Sequence, residues 1–290
     1  MAVKSRFHSS VLVALATAGA VSFVNRSPFF FFWGKSRTVR VTREQRDILN
    51  HMSLVELDNG SGGTQQAIRI SGISLQIVNG SGATETANGA GNLIVGYNEN
   101  DGAGVRTGSH NIVCGTGNDY SSTAGLIVGD TNSVDAPFGV ALGGSLNRVT
   151  APWSGVFGGY NNWAARDFSS VNGGSENFAF GVAASVHGGI LNDATGDFAV
   201  VGGGRANVAS GVASSVQGGG GYNPGEGNEA SGAFSSISGG ISNLATGLQA
   251  TVTGGQANVA DGVASSVSGG SARLAGEASS WAAGSFLEIE

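Results

Sequence analysis

The residues able to do chemistry are few and do not converge. Histidine stands at His8, His51, His110 and His187, and none has a His or Cys partner at the spacing a metal centre uses. Cys114 is the single cysteine, so disulfides within the chain and Cys-rich metal sites are excluded. The acids of the second half, Asp167, Glu176, Asp193, Asp197, Glu229, Asp261 and Glu277, fall at different places in a repeating pattern. A facing pair of them from neighbouring coils would be the minimum for glycoside hydrolysis, but no column of acids is built. The glycine-rich stretches SGGTQ, GGGRAN and GGGGYN lack the G-x-x-x-x-G-K-[ST] order of a phosphate loop. The nonapeptide GGxGxDxUx, which binds calcium in some β-rolls, is also absent. These residues predict a protein without catalytic site, cofactor or metal.

The elements that would carry any surface are set by a repeat. Asn132, Asn147, Asn162, Asn177, Asn192 and Asn207 follow one another at steps of 15, and Asn228, Asn243 and Asn258 continue the series after one step of 21. The long step contains a six-residue insertion in GGGGYNPGEGN. Asn118 extends the series backwards by 14, and Arg273 stands where the next Asn would fall. NVASGVASSVQGG from Asn207 and NVADGVASSVSGG from Asn258 differ at two positions only, Ser210/Asp261 and Gln217/Ser268. The template N-x-A-x-G-x-x-[SA]-x-V-x-G-G alternates like a strand within each half and changes phase between halves, which predicts two very short strands joined by a bend. A period of 15 is too short for helical or propeller repeats and fits one coil of a β-solenoid. The Gly-Gly pair supplies corner conformations that a Cβ resists, and Asn suits left-handed turns and bonds to nearby backbone. Stacked coils would bring the Asn residues into a ladder with steps of ~4.8 Å. Inward positions hold mainly Ala, Gly, Ser and one Val or Ile per coil, namely Val171, Val186, Val216, Ile237, Val252 and Val267. So thin a core would gain from a second face buried against other chains.

Composition agrees. Fifty-one glycines and 12% charged residues in 290 are unusual for a globular enzyme, and 40% hydrophobic residues are too many for disorder. Residues 1–58 carry a net charge of +4 and the remainder −10. The acidic repeat region lacks the basic stripe that nucleic acid requires, so nucleic-acid binding is not expected.

The N-terminus, MAVKSRFHSSVLVALATAGAVSF, has a basic start at Lys4 and Arg6, an apolar run from Val11 and a small-x-small site at Ala18-Gly19-Ala20. It reads as a secretory signal peptide. The rival is an uncleaved anchor, with the cluster from Phe29 to Trp33 at the interface; Val11 to Val24 is short for a span of ~20 residues. Membrane contact is expected only through this segment if it stays uncleaved.

The run A-x-G-x-x-S-x-V-x-G resembles the head repeat of trimeric autotransporter adhesins of the YadA type, over residues 92–284. That resemblance implies a left-handed parallel β-roll, assembly as a homotrimer, and attachment to a host, matrix or glycan ligand. The chain departs from the family in its 15-residue unit, where 14 is usual, and in Val at positions where Ala is commoner.

Upstream, Val41, Gln45, Ile48, Met52 and Val55 follow a 4-3-4-3 spacing that predicts a short helix. It would either start a coiled coil or pack on the solenoid end. Residues 1–35 are therefore expected to be the signal or anchor with its aromatic segment, 36–58 the helix, 59–91 a cap or neck of strands, and 92–290 an all-β roll. Within the roll, Trp163 and Phe178 each follow a repeat Asn and should stack outward on adjacent coils, with Tyr160 and Phe180 nearby. This patch is either a recognition surface or an inter-chain packing surface. The position three after each Asn (Ala165, Phe180, Thr195, Ser210, Ser231, Thr246, Asp261) is too mixed for the threonine array of an ice-binding face, a minor alternative. The expected role is a secreted or surface-displayed, adhesin-like head, with an extracellular sheath or fibre subunit as the alternative. A phage-like fibre or polysaccharide-cleaving solenoid is the second alternative. The acidic tail FLEIE looks like a blunted edge.

Overall fold

The computed structural model describes residues 41–99, 104–223 and 225–284. The expected signal or anchor over 1–35, with His8 and the cluster from Phe29 to Trp33, lies outside the described residues, as does the tail FLEIE. The chain divides into two compact units, one up to Ser74 and one from Leu75 onward. Among the described residues no helix is long and apolar enough to cross a membrane.

In the first unit, helix α1 (Arg43–Asn50) begins on a capping box. The Gln45 N–H donates to Thr42 Oγ1 at 3.2 Å, and the Thr42 N–H donates to Gln45 Oε1 at 2.9 Å. The helix then stops, and strand β1 (Met52–Asp58) turns back antiparallel onto β2 (Thr64–Ile70). Met52 and Val55 thus belong to a strand and Val41 precedes the N-cap, so only Gln45 and Ile48 of the expected seam lie in the helix. The reason is local: Asn59-Gly60-Ser61-Gly62 is a turn signal, with Gly60 and Gly62 at φ +72° and +79°, and it closes a hairpin that captures both flanks. The boundary expected between residues 58 and 59 falls at this turn. One hairpin face pairs Met52 with Ile70 and Leu54 with Ile68, and all four side chains are exposed.

The second unit is a parallel β-solenoid of about 12 turns with repeats of about 15 residues. One sheet stacks 13 strands, from Leu93–Val95 to Trp281–Ala282, and the other stacks 11, from Asp119–Tyr120 to Leu274–Ala275. Most strands are two residues long because each coil crosses a face and turns at once. The register is strict: Val156, Val171, Val186, Val201 and Val216 are successive partners in one sheet, and Ala164, Ala179, Ala194 and Ala209 in the other. Every one of these side chains is fully buried, and so are Ile237, Val252 and Val267. The template positions N, A, G, [SA] and V all point inward, as at Asn207, Ala209, Gly211, Ser214 and Val216.

The repeat Asn residues form the expected ladder, but inside the coil. Each is 0–1% exposed from Asn132 to Asn258. Asn162 shows the pattern: its Oδ1 accepts the Asn177 N–H at 3.0 Å, and its Nδ2 donates to Gly158 O at 3.1 Å and Gly174 O at 3.0 Å. The ladder starts earlier than the 15-residue series shows, since Asn118 N–H donates to Asn98 Oδ1 at 2.8 Å. It closes where Arg273 N–H donates to Asn258 Oδ1 at 2.9 Å. The left-handed conformation falls on the residue before Asn, as at Asn161, Glu176, Leu191 and Ala206, with φ between +53° and +59°. That turn aims the Asn amide into the core, where a bond to the chain's own backbone replaces the water it has lost.

Candidate functional site

The second sheet presents the sequence-predicted aromatic patch. Trp163 and Phe178 are register partners on adjacent strands, and both are half-buried. Phe180 lies edge-on to Trp163 with ring centroids 4.9 Å apart, and it stacks on Phe178 at 5.5 Å. On the preceding strand Arg148 places its guanidinium 4.8 Å from the centre of the Trp163 ring, a cation–π contact. Arg148 also lies 3.9 Å from the Asp135 carboxylate. The Trp163 indole N–H donates to Thr150 Oγ1 at 2.9 Å, which fixes the ring. Three of the four expected residues therefore form one cluster. Tyr160 does not join it through any ring contact among the described residues: it bridges Ser145 and Ser175 at the glycine corner and is 50% exposed.

Asp193 follows Phe178 on the same column, with Val208 beyond it. Burial pushes its carboxyl above the ordinary value, and its Oδ1 has no hydrogen-bond partner. Asp130 behaves oppositely. Hydroxyls of Thr116, Ser145 and Thr131 donate to it and hold its carboxyl below the ordinary value.

His110 takes part in a local brace. Its Nε2 accepts the Asn79 N–H at 3.2 Å while Nδ1 lies 3.0 Å from Thr84 O. The two bonds tie the segment 79–84 to the first coils, beside a cavity of about 530 Å³ whose wall includes Gln76, Ile77 and Val78. His51 Nδ1 lies 3.0 Å from Ser71 O at the open end of the hairpin. His187 is exposed on the first sheet. Among the described residues no group of three or more His, Cys, Asp or Glu side chains is placed to hold a metal.

A second aromatic surface lies on the other corner of the coil, six residues after each Asn. Phe138, Trp153 and Phe168 stack face to face there, with centroids 6.1 and 5.2 Å apart and planes within 7°. Their exposures are 40%, 55% and 58%. All three adopt left-handed backbone, φ +54° to +61°, which costs an ordinary side chain on the order of 1–2 kcal/mol. Phe198 and Phe234 continue the column, each 60% exposed and also left-handed. Sequence reasoning missed this row because it read the outward positions one and three after Asn. The signal was the same step of 15 from Phe138 to Trp153 to Phe168.

A scan against known protein families finds no match to the chain, and no curated protein matches it.

Proposed function

We propose that the chain is an adhesin-like head, secreted or displayed at a cell surface, that attaches to a host, matrix or glycan ligand through an extended repetitive surface. Catalysis plays no part in this reading. The observation that supports it is the cluster of Trp163, Phe178, Phe180 and Arg148 on a flat sheet face: half-buried rings held by a cation and a hydroxyl offer apolar area at low entropic cost. Assembly as a homotrimer belongs to the same proposal, since each coil from Asn162 to Asn258 buries only one Val or Ile, with one or two Ala, between its sheets. The test is binding of the full chain to arrays of glycans and matrix proteins, with Trp163→Ala/Phe178→Ala as the paired variant. Loss of binding with unchanged circular dichroism and unchanged mass supports recognition by this patch. Loss of the assembly itself assigns the patch to packing between chains.

A second reading, a subunit of an extracellular sheath or fibre, is favoured by the last described coil. Its strands Leu274–Ala275 and Trp281–Ala282 end the two sheets, so among the described residues their outer edges are open to end-to-end stacking, with Leu274 and Trp281 64% and 66% exposed at the rim. Filaments in electron micrographs that vanish with Trp281→Ser would carry that reading over the first.

A further inference from the structure

Six residues after each ladder residue from Asn132 to Arg273 the corner reads, coil by coil, Phe138, Trp153, Phe168, Ala183, Phe198, Ala213, Phe234, Gln249, Ala264 and Ser279, with the ring-free Ala124 one coil before them. All ten adopt the same left-handed conformation, φ +52° to +61°. The column stays in step across the insertion, because that extra chain leaves the coil at the opposite, glycine corner. Backbone bonds from Ala213 N–H to Asp197 O and from Phe234 N–H to Val212 O, both 2.8 Å, hold the ring corner in register on either side.

This column is its own complement when reversed. Placed antiparallel about a two-fold axis midway between the coils of Phe198 and Ala213, every ring of one copy meets a position without a ring on the other. Phe198 faces Ala213, Phe234 faces Ala183, Phe168 faces Gln249, Trp153 faces Ala264 and Phe138 faces Ser279. The slots also have the right width. Phe168 and Phe198 are two coils apart, ~9.6 Å, with Ala183 as the floor between them. A ring seated midway lies about as far from each wall as Phe138, Trp153 and Phe168 lie from one another, 5.2–6.1 Å. We propose that this corner is a homotypic docking edge, on which a second copy of the chain lies antiparallel with its Phe198 and Phe234 in the slots at Ala213 and Ala183 and its other rings on the ring-free stretch from Gln249 to Ser279.

Four of the ten rings, Phe198 and Phe234 of each copy, enter slots walled on both sides, and the other six lie on the ring-free stretch from Gln249 to Ser279; together they would remove on the order of 1,000 Å² from water, the low end for specific pairing, so the contact is concentration-dependent. It is a property of the ring corner alone. A single chain is doubled by this edge, and an assembly formed through other surfaces is joined to further copies at each edge it leaves free.

The experiment is light scattering of the full chain across a concentration series, with three changes. Phe198→Ala/Phe234→Ala should weaken the doubling at least tenfold and leave circular dichroism unchanged, since this corner already carries Ala at 183 and 213. Ala213→Phe adds apolar surface but fills a slot: it should also weaken the doubling, whereas a merely sticky edge would associate more strongly. Third, in a Cys114→Ala background, Val212→Cys should be joined between copies by a short bismaleimide. Val263→Cys should not, because the antiparallel arrangement sets the two copies of that site seven coils, ~34 Å, apart. Strengthened association of Ala213→Phe, equal crosslinking at both sites, or mass unchanged by the Phe198/Phe234 variant would each overturn the proposal.

Discussion

Asn177 donates its backbone N–H to the side-chain oxygen of Asn162, 15 residues earlier, at 3.0 Å, and its own Oδ1 accepts the Asn192 N–H at 3.1 Å. The amide of each rung therefore holds the next coil as well as its own. This arrangement supplies hydrogen bonds where the core is too thin to supply much apolar area.

Asn177→Ala should cost about 3 kcal/mol or more. It leaves the buried Asn192 N–H and the Gly173 carbonyl without the partner they have now, and removes one of the two bonds to the Gly189 carbonyl, which keeps the Ser175 N–H; each orphaned group costs roughly 1–3 kcal/mol. Asn177→Asp should be worse at neutral pH, because a carboxylate would face those two carbonyls. Chemical denaturation of both variants reads the difference, and a loss under 1 kcal/mol for Asn177→Ala would refute a structural ladder.

Ser235→Ala should be neutral or stabilising by up to about 1 kcal/mol. The Ser235 hydroxyl is fully buried and lacks a partner, and the same corner carries Ala at Ala184, Ala199 and Ala250. Ser154→Ala is the contrast, since its hydroxyl donates to Ala151 O at 2.5 Å, and it should lower the melting temperature.

Gly240→Ala should destabilise strongly while Gly239→Ala is tolerated. Gly240 has φ +91°, and a Cβ there would run into the Gly255 carbonyl oxygen and the Asn243 amide; beside Gly239 there is open space. A cost of at least 2 kcal/mol at 240 against well under 1 kcal/mol at 239 is expected, read by thermal unfolding.

Burial raises the Asp193 carboxyl, so the folded chain favours its neutral form. The unfolded chain ionises near the ordinary value of 3.8. Stability is therefore lost as pH rises from that value through the raised folded one, and it is flat above. Asp193→Asn should remove this part of the slope and stabilise the protein at pH 7 by less than about 1 kcal/mol, because the group is partly solvated. An unchanged slope in melts between pH 3 and 7 would show that Phe178 and Val208 do not desolvate it.

The solenoid was legible because stacking converts each residue type into a column: Ala209, Ser214 and Val216 could be assigned inward from one coil and checked against eight others. The left-handed turns were misplaced. They fall on Asn161, Glu176, Leu191 and Ala206, whose types share nothing, because coil closure imposes the conformation against local preference. The helix was read as too long because Met52 and Val55, three residues apart, fit a helical stripe, whereas the hairpin that captures them puts them on opposite faces of a strand. The patch at Trp163, Phe178 and Phe180 followed from register alone. Tyr160, three residues before Trp163, sits on another side of the coil, beyond what spacing within one strand can show.

The six-residue insertion leaves the ladder intact: Asn228 N–H still reaches Asn207 Oδ1 at 3.0 Å, and Gly218 O stands in for the carbonyl that other rungs take from four residues back. The perimeter of a coil is thus independent of the rise from one coil to the next. Foreign sequence spliced between Gly221 and Gly227 would be carried outward like a pennant on a mast, and the shaft would keep its pitch. The same freedom makes each coil a unit that can be duplicated or removed whole, so the lineage of this chain can change its reach in steps of ~4.8 Å without redesigning its interior.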